Sequence, residues 1–230
     1  MSAAAQRTPL TQGLVLAMDA AGGDGTLALL RDGQLLDARS VVMRSDRDET
    51  FFPAVLAMLA DAGVTLGELD AVIVGAGPGS FTALRVVAAT AKGIVHARGI
   101  PLFAVPSLAL IVAADESTKA LGTRWMSTLD ALRGERYAAL VISGERGEIL
   151  RVEQLGLVAA ASVAARAAEL EALPIGPDEA HAARPQASGV LRCLGLASVA
   201  RVDLATWEPL YGRLAEAQVK WEAAHGRSLT

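Results

Sequence analysis

The densest concentration of residues able to do chemistry is Gly77-Pro78-Gly79-Ser80-Phe81-Thr82-Ala83-Leu84-Arg85, which follows an apolar run and opens a helical pattern. Glycine lets the backbone turn tightly and approach a ligand closely, Pro78 fixes one φ, and Ser80 stands where a side-chain oxygen can cap a helix N-terminus. Exposed N–H groups at such an N-terminus also receive anions. From the residues alone the segment is either a strand-to-helix turn with a serine cap or a phosphate-binding loop. Asp19, ending another apolar run ahead of the turn Gly22-Gly23-Asp24-Gly25-Thr26, is either a polar strand-end residue or the remnant of a nucleotide contact. Ser80 has no evident His and Asp partners for hydrolase chemistry.

The elements that must position these groups read as an α/β layer. Leu14 to Ala21, Thr26 to Leu30 and Gln34 to Val42 form three strands in antiparallel order, with turns at Gly22–Gly25 and Asp32-Gly33. A helix from about Phe51 to Ala62 follows, stopped by Gly63. Asp70 to Gly75 is a continuous apolar strand of the kind buried on both faces. It leads into the motif and a helix to about Ala97, which Gly99 and Pro101 close. Leu102 to Val105 is the next strand, with a further helix starting near Ser107.

From Thr123 the pattern starts again, with strands at Arg124 to Leu129, Tyr137 to Ser143 and Ile149 to Gln154. The repeated β-β-β opening points to two related halves with mixed sheets, the second reduced. Domains at 14–114 and 115–230 follow, behind a frayed tail at 1–13. The rest of the second half reads as a helix from Ser162 to Leu173, a loop from Pro174 to Gly189, a helix from Leu191 to Val202 and a last helical piece from Leu214 to His225. Arg133 and Glu135, before Tyr137, form either a solvated hairpin tip or a partner contact.

Composition narrows the function. The 21 basic and 25 acidic residues leave a net charge of −4, so nothing marks a direct phosphate-backbone binder. Contact with nucleic acid, where it occurs, is expected to be indirect. Cys193 cannot form an internal disulfide and lies in an apolar stretch suited to a buried small hydrophobe. No apolar run reaches the roughly 18 residues of a membrane span, and the first residues lack a signal-peptide core, so a soluble cytoplasmic chain is expected.

The motif, taken with its context, resembles the signature of the TsaB, or YeaZ-type, family. Leu16-Ala17-Met18-Asp19 is similar to that family's opening strand, Asp130-Ala131-Leu132-Arg133-Gly134-Glu135-Arg136-Tyr137 to its mid-chain segment, and Glu208-Pro209-Leu210-Tyr211 to its C-terminal Pro-x-Tyr ending. Departures are Ala20 after Asp19, Ser45 to Thr50 at the entry to the first helix, Ala83 in place of the usual glycine and Leu132 in place of an arginine. The resemblance implies an actin-like, Hsp70-type fold and a non-catalytic partner of the transferase subunit TsaD, with the ATPase TsaE joining the assembly. It implies work on a tRNA adenosine beside the anticodon, contact with tRNA only through the complex, and no cofactor beyond ATP or ADP at a complex interface. The alternatives on the same superfold are an independent metallopeptidase or a sugar-kinase-type ATPase. His96, His181 and His225 never fall at the His-x-x-x-His spacing by which TsaD-like enzymes hold metal, and each reads as a lone surface histidine.

Helical arithmetic suggests where a partner binds. At about 100° per residue, Arg85, Lys92 and His96 share a narrow strip of the helix from Thr82 to Ala97, and small or apolar residues cover an arc of roughly 220° where a sheet needs only ~100°. The helix from Phe51 to Ala62 has the same excess. Phe51, Phe52, Val55, Leu59, Val86, Val87, Thr90 and Ile94 are therefore expected to form a partner face. It would hold a symmetric homodimer when the chain is alone.

Overall fold

The computed structural model describes residues 10–43, 50–119 and 123–212. Strands β1 (Leu14–Asp19), β2 (Gly25–Arg31) and β3 (Gln34–Val41) form the antiparallel opening, followed by α1 (Phe51–Asp61), β4 (Ala71–Gly75), α2 (Phe81–Arg98), β5 (Leu102–Val105) and α3 (Ser107–Ala114). The second half brings β6 (Arg124–Asp130), β7 (Glu135–Ser143), β8 (Ile149–Ala159), α4 (Val163–Glu169), β9 (Leu173–Gly176), β10 (His181–Ala182), α5 (Val190–Cys193) and β11 (Ala200–Arg201). The first sheet runs β11-β5-β4-β1-β2-β3 and the second β10-β9-β6-β7-β8. In each, the first strand of the β-β-β unit pairs antiparallel with its successor and parallel with a later strand, β1 with β4 and β6 with β9. The two halves thus repeat one topology, and the mixed α/β class read from the sequence holds.

Three apolar clusters show the layers. Leu16, Leu27, Leu29, Val72 and Val74 of the first sheet face Phe51, Val55, Met58 and Leu59 of α1 and Val87, Ala91 and Ile94 of α2. Val15, Ala17, Ala28 and Ile73, on the opposite face, meet α3 and, beyond it, Trp125, Leu129, Ala139, Val141 and Ile175 of the second sheet. Every residue of α3 from Ser107 to Ala113 is buried, because the helix lies between two sheets and has no solvent side. Met126, Ala138 and Leu140 pack outward on Val163 and Ala167 of α4.

The structure corrects the reading of the second half. Within the stretch taken for a loop, Pro174 and Ile175 lie in β9, parallel to β6, and β10 extends that edge. Proline hid the strand, since it donates nothing to a ladder and signals a turn. The expected helix from Leu191 to Val202 is the one-turn α5. Successive turns then follow, closed by Leu196 N–H to Cys193 O at 2.8 Å and Val199 N–H to Leu196 O at 2.9 Å. The chain next returns to the first sheet, where β11 pairs antiparallel with β5, so the stretch from Ala200 belongs with the first half and not with the domain at 115–230. The helix expected from Ser162 to Leu173 spans only α4, and β8 runs on to Ala159 across a bulge at Leu155. The helical piece at Leu214 to His225 and the tail at 1–9 lie outside the described residues.

Candidate functional site

The motif sits where β1, β4, α2 and α3 converge. Gly75 ends β4, and a Cβ there would lie 1.7 Å from Asp19 Oδ1 and 2.7 Å from Ser107 Oγ. The Ser107 hydroxyl donates to Asp19 Oδ1 at 2.5 Å and accepts the Gly77 N–H at 2.9 Å, while Ala21 N–H donates to Asp19 Oδ2 at 2.9 Å. Asp19 has no exposed surface, and both of its carboxylate oxygens are engaged within the chain. It is a tie between the ends of β1 and β4 and the start of α3.

Burial pushes the Asp19 carboxyl up to about 6 from 3.8, against the opposing pull of the bonds from Ser107 and Ala21. The raised value favours the protonated form in the folded chain. The stabilisation is therefore complete below about 3.8 and lost as pH rises through about 6. Ionising this buried group costs about 3 kcal/mol of stability. On acidification from about pH 7.5 to about pH 4, the parent is expected to gain most of that, about 2 kcal/mol, relative to Asp19→Asn, which has no charge to bury. Urea unfolding at the two pH values reads the difference, and equal responses in both proteins would refute it.

The glycines of the motif admit the chain's own backbone. A Cβ at Gly77, whose φ is +83°, would lie 2.3 Å from Leu210 O, and one at Gly79 would lie 2.4 Å from Ala21 O. Ser80 N–H donates to Ala21 O at 2.9 Å, and Leu210 N–H to Ala76 O at 2.7 Å. The Ser80 hydroxyl makes no capping bond, and the residue is fixed instead through its own N–H on the Ala21 carbonyl. The Gly22 turn is covered from the second half, with Pro185 against Gly22 and Ala187 N–H on Thr26 Oγ1 at 3.0 Å. The space beside Gly77 and Gly79 is thus taken by the chain's own carbonyls, and the N–H groups of Gly77 and Ser80 are held by Ser107 and Ala21. Among the described residues, no group of three or more His, Cys, Asp and Glu could hold a metal ion.

Around the loop the structure joins residues that neither residue type nor spacing links. The Tyr137 hydroxyl donates to Tyr211 O at 3.1 Å, the Tyr211 ring lies 4.7 Å from that of Phe81, and the Arg85 guanidinium stands 5.3 Å from the Phe81 centroid. Thr82 is exposed beside them. Ser107 carried no signal at all; Tyr137 and Tyr211 were visible only as parts of family-like segments. Cys193 is buried, and burial pushes its thiol up to about 12, the inert state expected of a core cysteine. His181 is not a lone surface histidine: its Nε2 lies 3.0 Å from Asp115 Oδ2 and 3.1 Å from Ser117 Oγ. His96 is exposed on α2, and His225 lies outside the described residues.

The expected partner face divides in two. Phe51, Val55, Leu59, Val87 and Ile94 are at most 5% exposed and belong to the core, because α1 and α2 rest on the same sheet face. The far side of α2 is covered in part by the chain itself, through Val202, Leu204 and Trp207, with the Lys92 ammonium 5.8 Å from the Trp207 ring. Phe52 and Leu56 remain exposed at 37% and 42%, with Val86 and Thr90 half-buried and Ala89 and Gly93 open. Arg133 stands exposed at the β6–β7 hairpin tip, where Leu132, Arg133 and Gly134 all have positive φ.

Residues 44–172, more than half of the chain, match the family model described as TsaD: tRNA N6-adenosine threonylcarbamoyltransferase. An uncharacterized protein of Mycobacterium tuberculosis (strain ATCC 25618 / H37Rv) is 41% identical over 134 residues, covering 57% of this chain and 61% of that protein. The tRNA threonylcarbamoyladenosine biosynthesis protein TsaB of Escherichia coli (strain K12) is 30% identical over 133 residues, 58% of this chain and 57% of that protein. The match therefore spans about three fifths of the length of these relatives. Among solved structures, YeaZ from Pseudomonas aeruginosa superposes with a TM-score of 0.65 at 26% identity, covering 87% of this chain and 100% of that one. A repeated mixed-sheet topology, a glycine motif closed on its own backbone and these likenesses converge, and the chain belongs to the TsaD family as a TsaB/YeaZ-type member.

Proposed function

We propose that the chain serves the threonylcarbamoyl modification of a tRNA adenosine as a partner subunit without a complete active site of its own. It docks a TsaD-type catalytic subunit, a TsaE-type ATPase joins the assembly, and tRNA is met through the complex. The observation that carries this reading is the closure of the Asp19 and Gly77–Gly79 site by the chain's own backbone and by Ser107, in a chain of this family. The fold is kept while the groups that would do chemistry are spent on holding it together. Nucleotide, in this reading, belongs to an interface of the complex, and the work is done in the cytoplasm. No helix among the described residues is long and apolar enough to cross a membrane.

The docking surface proposed is what α1 and α2 leave uncovered, namely Phe52, Leu56, Val86, Ala89, Thr90 and Gly93. A second copy, or a TsaD-type subunit of similar fold, offers equivalent helices to it. Thr90→Arg adds a charge between half-buried Val86 and the core at Ile94 without replacing a core side chain. It is expected to fold as the parent does, to run as a monomer in size-exclusion chromatography and to lose capture of a TsaD-type subunit. Reconstituted tRNA modification should fall about tenfold or more, the equivalent of ~1.4 kcal/mol or more of lost binding. A Thr90→Arg protein that stays dimeric and captures that subunit normally would remove this surface from consideration, as would one that does not fold.

A further inference from the structure

The segment Pro209–Gly212 lies across the motif loop and touches both halves of the molecule. Toward the first half, Leu210 N–H donates to Ala76 O at 2.7 Å, Pro209 is buried, and the Tyr211 ring rests on Phe81 at 4.7 Å. Toward the second half, Tyr211 O accepts the Tyr137 hydroxyl at 3.1 Å. A Cβ at Gly212 would lie 2.3 Å from Tyr137 Cε1 and 3.0 Å from Pro78 Cβ. Tyr137 belongs to β7 and Phe81 opens α2, so four residues join the second sheet to the first turn of the helix that carries Val86 and Thr90.

Along its own length the segment is weakly tied. Trp207 N–H closes a turn on Asp203 O at 2.9 Å, and from there to Gly212 the hydrogen bonds among the described residues are the two just given. Leu210 is 52% exposed and buries little apolar surface. Segments held by so few bonds open at a small fraction of the cost of global unfolding. What lies beneath has its own support, since Gly77 N–H is held by Ser107 Oγ, Ser107 N–H by Gly77 O and Ser80 N–H by Ala21 O.

We propose that Pro209–Gly212 is a releasable clasp. Closed, it fixes the β4–α2 loop and the first turn of α2 against β7. Open, it frees that turn and uncovers the Ala76 carbonyl, the Phe81 ring and the Tyr137 hydroxyl. Arg85, stacked on Phe81 and exposed on α2, moves with the aromatic pair, so the state of the clasp reaches the surface of that helix. The effect on partner docking rests on the function proposed above; the mechanical link between β7 and α2 does not.

Hydrogen–deuterium exchange on the full chain tests the link. Gly212→Val holds the clasp open, because the residue has φ +75° and its side chain would enter the Tyr137 ring, yet no core residue of either half is altered. Tyr137→Phe removes the hydroxyl bond and keeps the ring. Peptides covering residues 76–85 are expected to exchange about tenfold faster in Gly212→Val and roughly fivefold faster in Tyr137→Phe, the latter matching one lost hydrogen bond. Peptides from α1 and β2 should keep the parent rates. Unchanged exchange over 76–85 in both variants overturns the clasp, and so does uniform acceleration of the whole chain, which would make the segment part of the global fold. Capture of a TsaD-type subunit by the same samples judges the coupling: weaker capture by Gly212→Val supports it, and unchanged capture beside faster exchange overturns it. No capture by the parent itself counts against the docking proposal alone.

Discussion

Gly75→Ala is expected to unfold the protein or leave it marginal, a loss of about 3–5 kcal/mol against the total of roughly 5–15 kcal/mol that domains of this size possess. The added methyl would stand 1.7 Å from Asp19 Oδ1 and 2.7 Å from Ser107 Oγ, distances no rotamer change in alanine can relieve. Either the end of β4 moves away from β1, breaking a parallel ladder, or the Asp19 carboxyl turns off Ser107 and Ala21 and is left buried without partners. Both routes are expensive, the second because an unpaired carboxyl in a dry site loses its solvation with no return. Removing the obstacle should restore part of the loss: Asp19→Ala with Gly75→Ala is expected to be less destabilised than the sum of the single changes, by about 1–3 kcal/mol. Urea unfolding of the four proteins measures this. Additivity, or a Gly75→Ala midpoint equal to the parent's, would mean that Asp19 and Gly75 do not meet as described.

Arg192→Leu is expected to cost about 3–5 kcal/mol, although it touches none of the motif residues. The guanidinium donates to the carbonyls of Val112 at 3.1 Å, Ala113 at 3.2 Å, Asp115 at 2.9 Å and Thr118 at 3.3 Å, to Thr118 Oγ1 at 2.9 Å, and to Gly147 O. Three of these carbonyls lie at the C-terminal end of α3, where the helix itself supplies no further N–H donors, and the contacts are part-buried. Leucine fills a similar volume but takes the donor from the carbonyls of Ala113, Thr118 and Gly147, while the Thr118 hydroxyl still serves Val112 O and Asp115 O. Arg192→Lys keeps the charge near the negative end of the helix, but an ammonium cannot spread over the same fork, and about half of the loss should remain. Thermal melts and proteolysis at the loop around Gly147 report the effect. A leucine variant as stable as the parent would show that the carbonyls find other donors.

Much of the first half was legible in the sequence, and the reason is local. The β-β-β opening, the buried strand before the motif and the long helix after it each announce themselves in a window of ten or so residues, through apolar runs and glycine turns. Cys193 was also legible, as a small apolar residue among others. What could not be read is what depends on distant pairs. Asp19 and Ser107 stand 88 positions apart, and neither residue type calls for the other. Pro174 in β9 signals a turn until β6 is known to lie beside it. The width of an apolar helix face likewise does not say what covers it: Trp207 and Val202 take part of the surplus on α2 from the far end of the chain. Helical arithmetic alone therefore places Val87 and Ile94 on a partner face when they are core, whereas Thr90 and Val86 keep part of their exposure.

The return of β11 to the first sheet sets an order of events during synthesis. Strand β5 is complete at Val105, but the strand that covers its outer edge begins at Ala200, roughly a hundred residues later. At the ~5–20 residues per second of translation, a nascent chain carries that unpaired edge for about 5–20 s. The apolar α3, which needs the second sheet for cover, waits through much of the same interval. An open strand edge beside an uncovered helix is a template for pairing with another chain. Ribosome-bound fragments ending between β6 and β9 should therefore recruit chaperones, and release from them should follow emergence of the residues around Ala200.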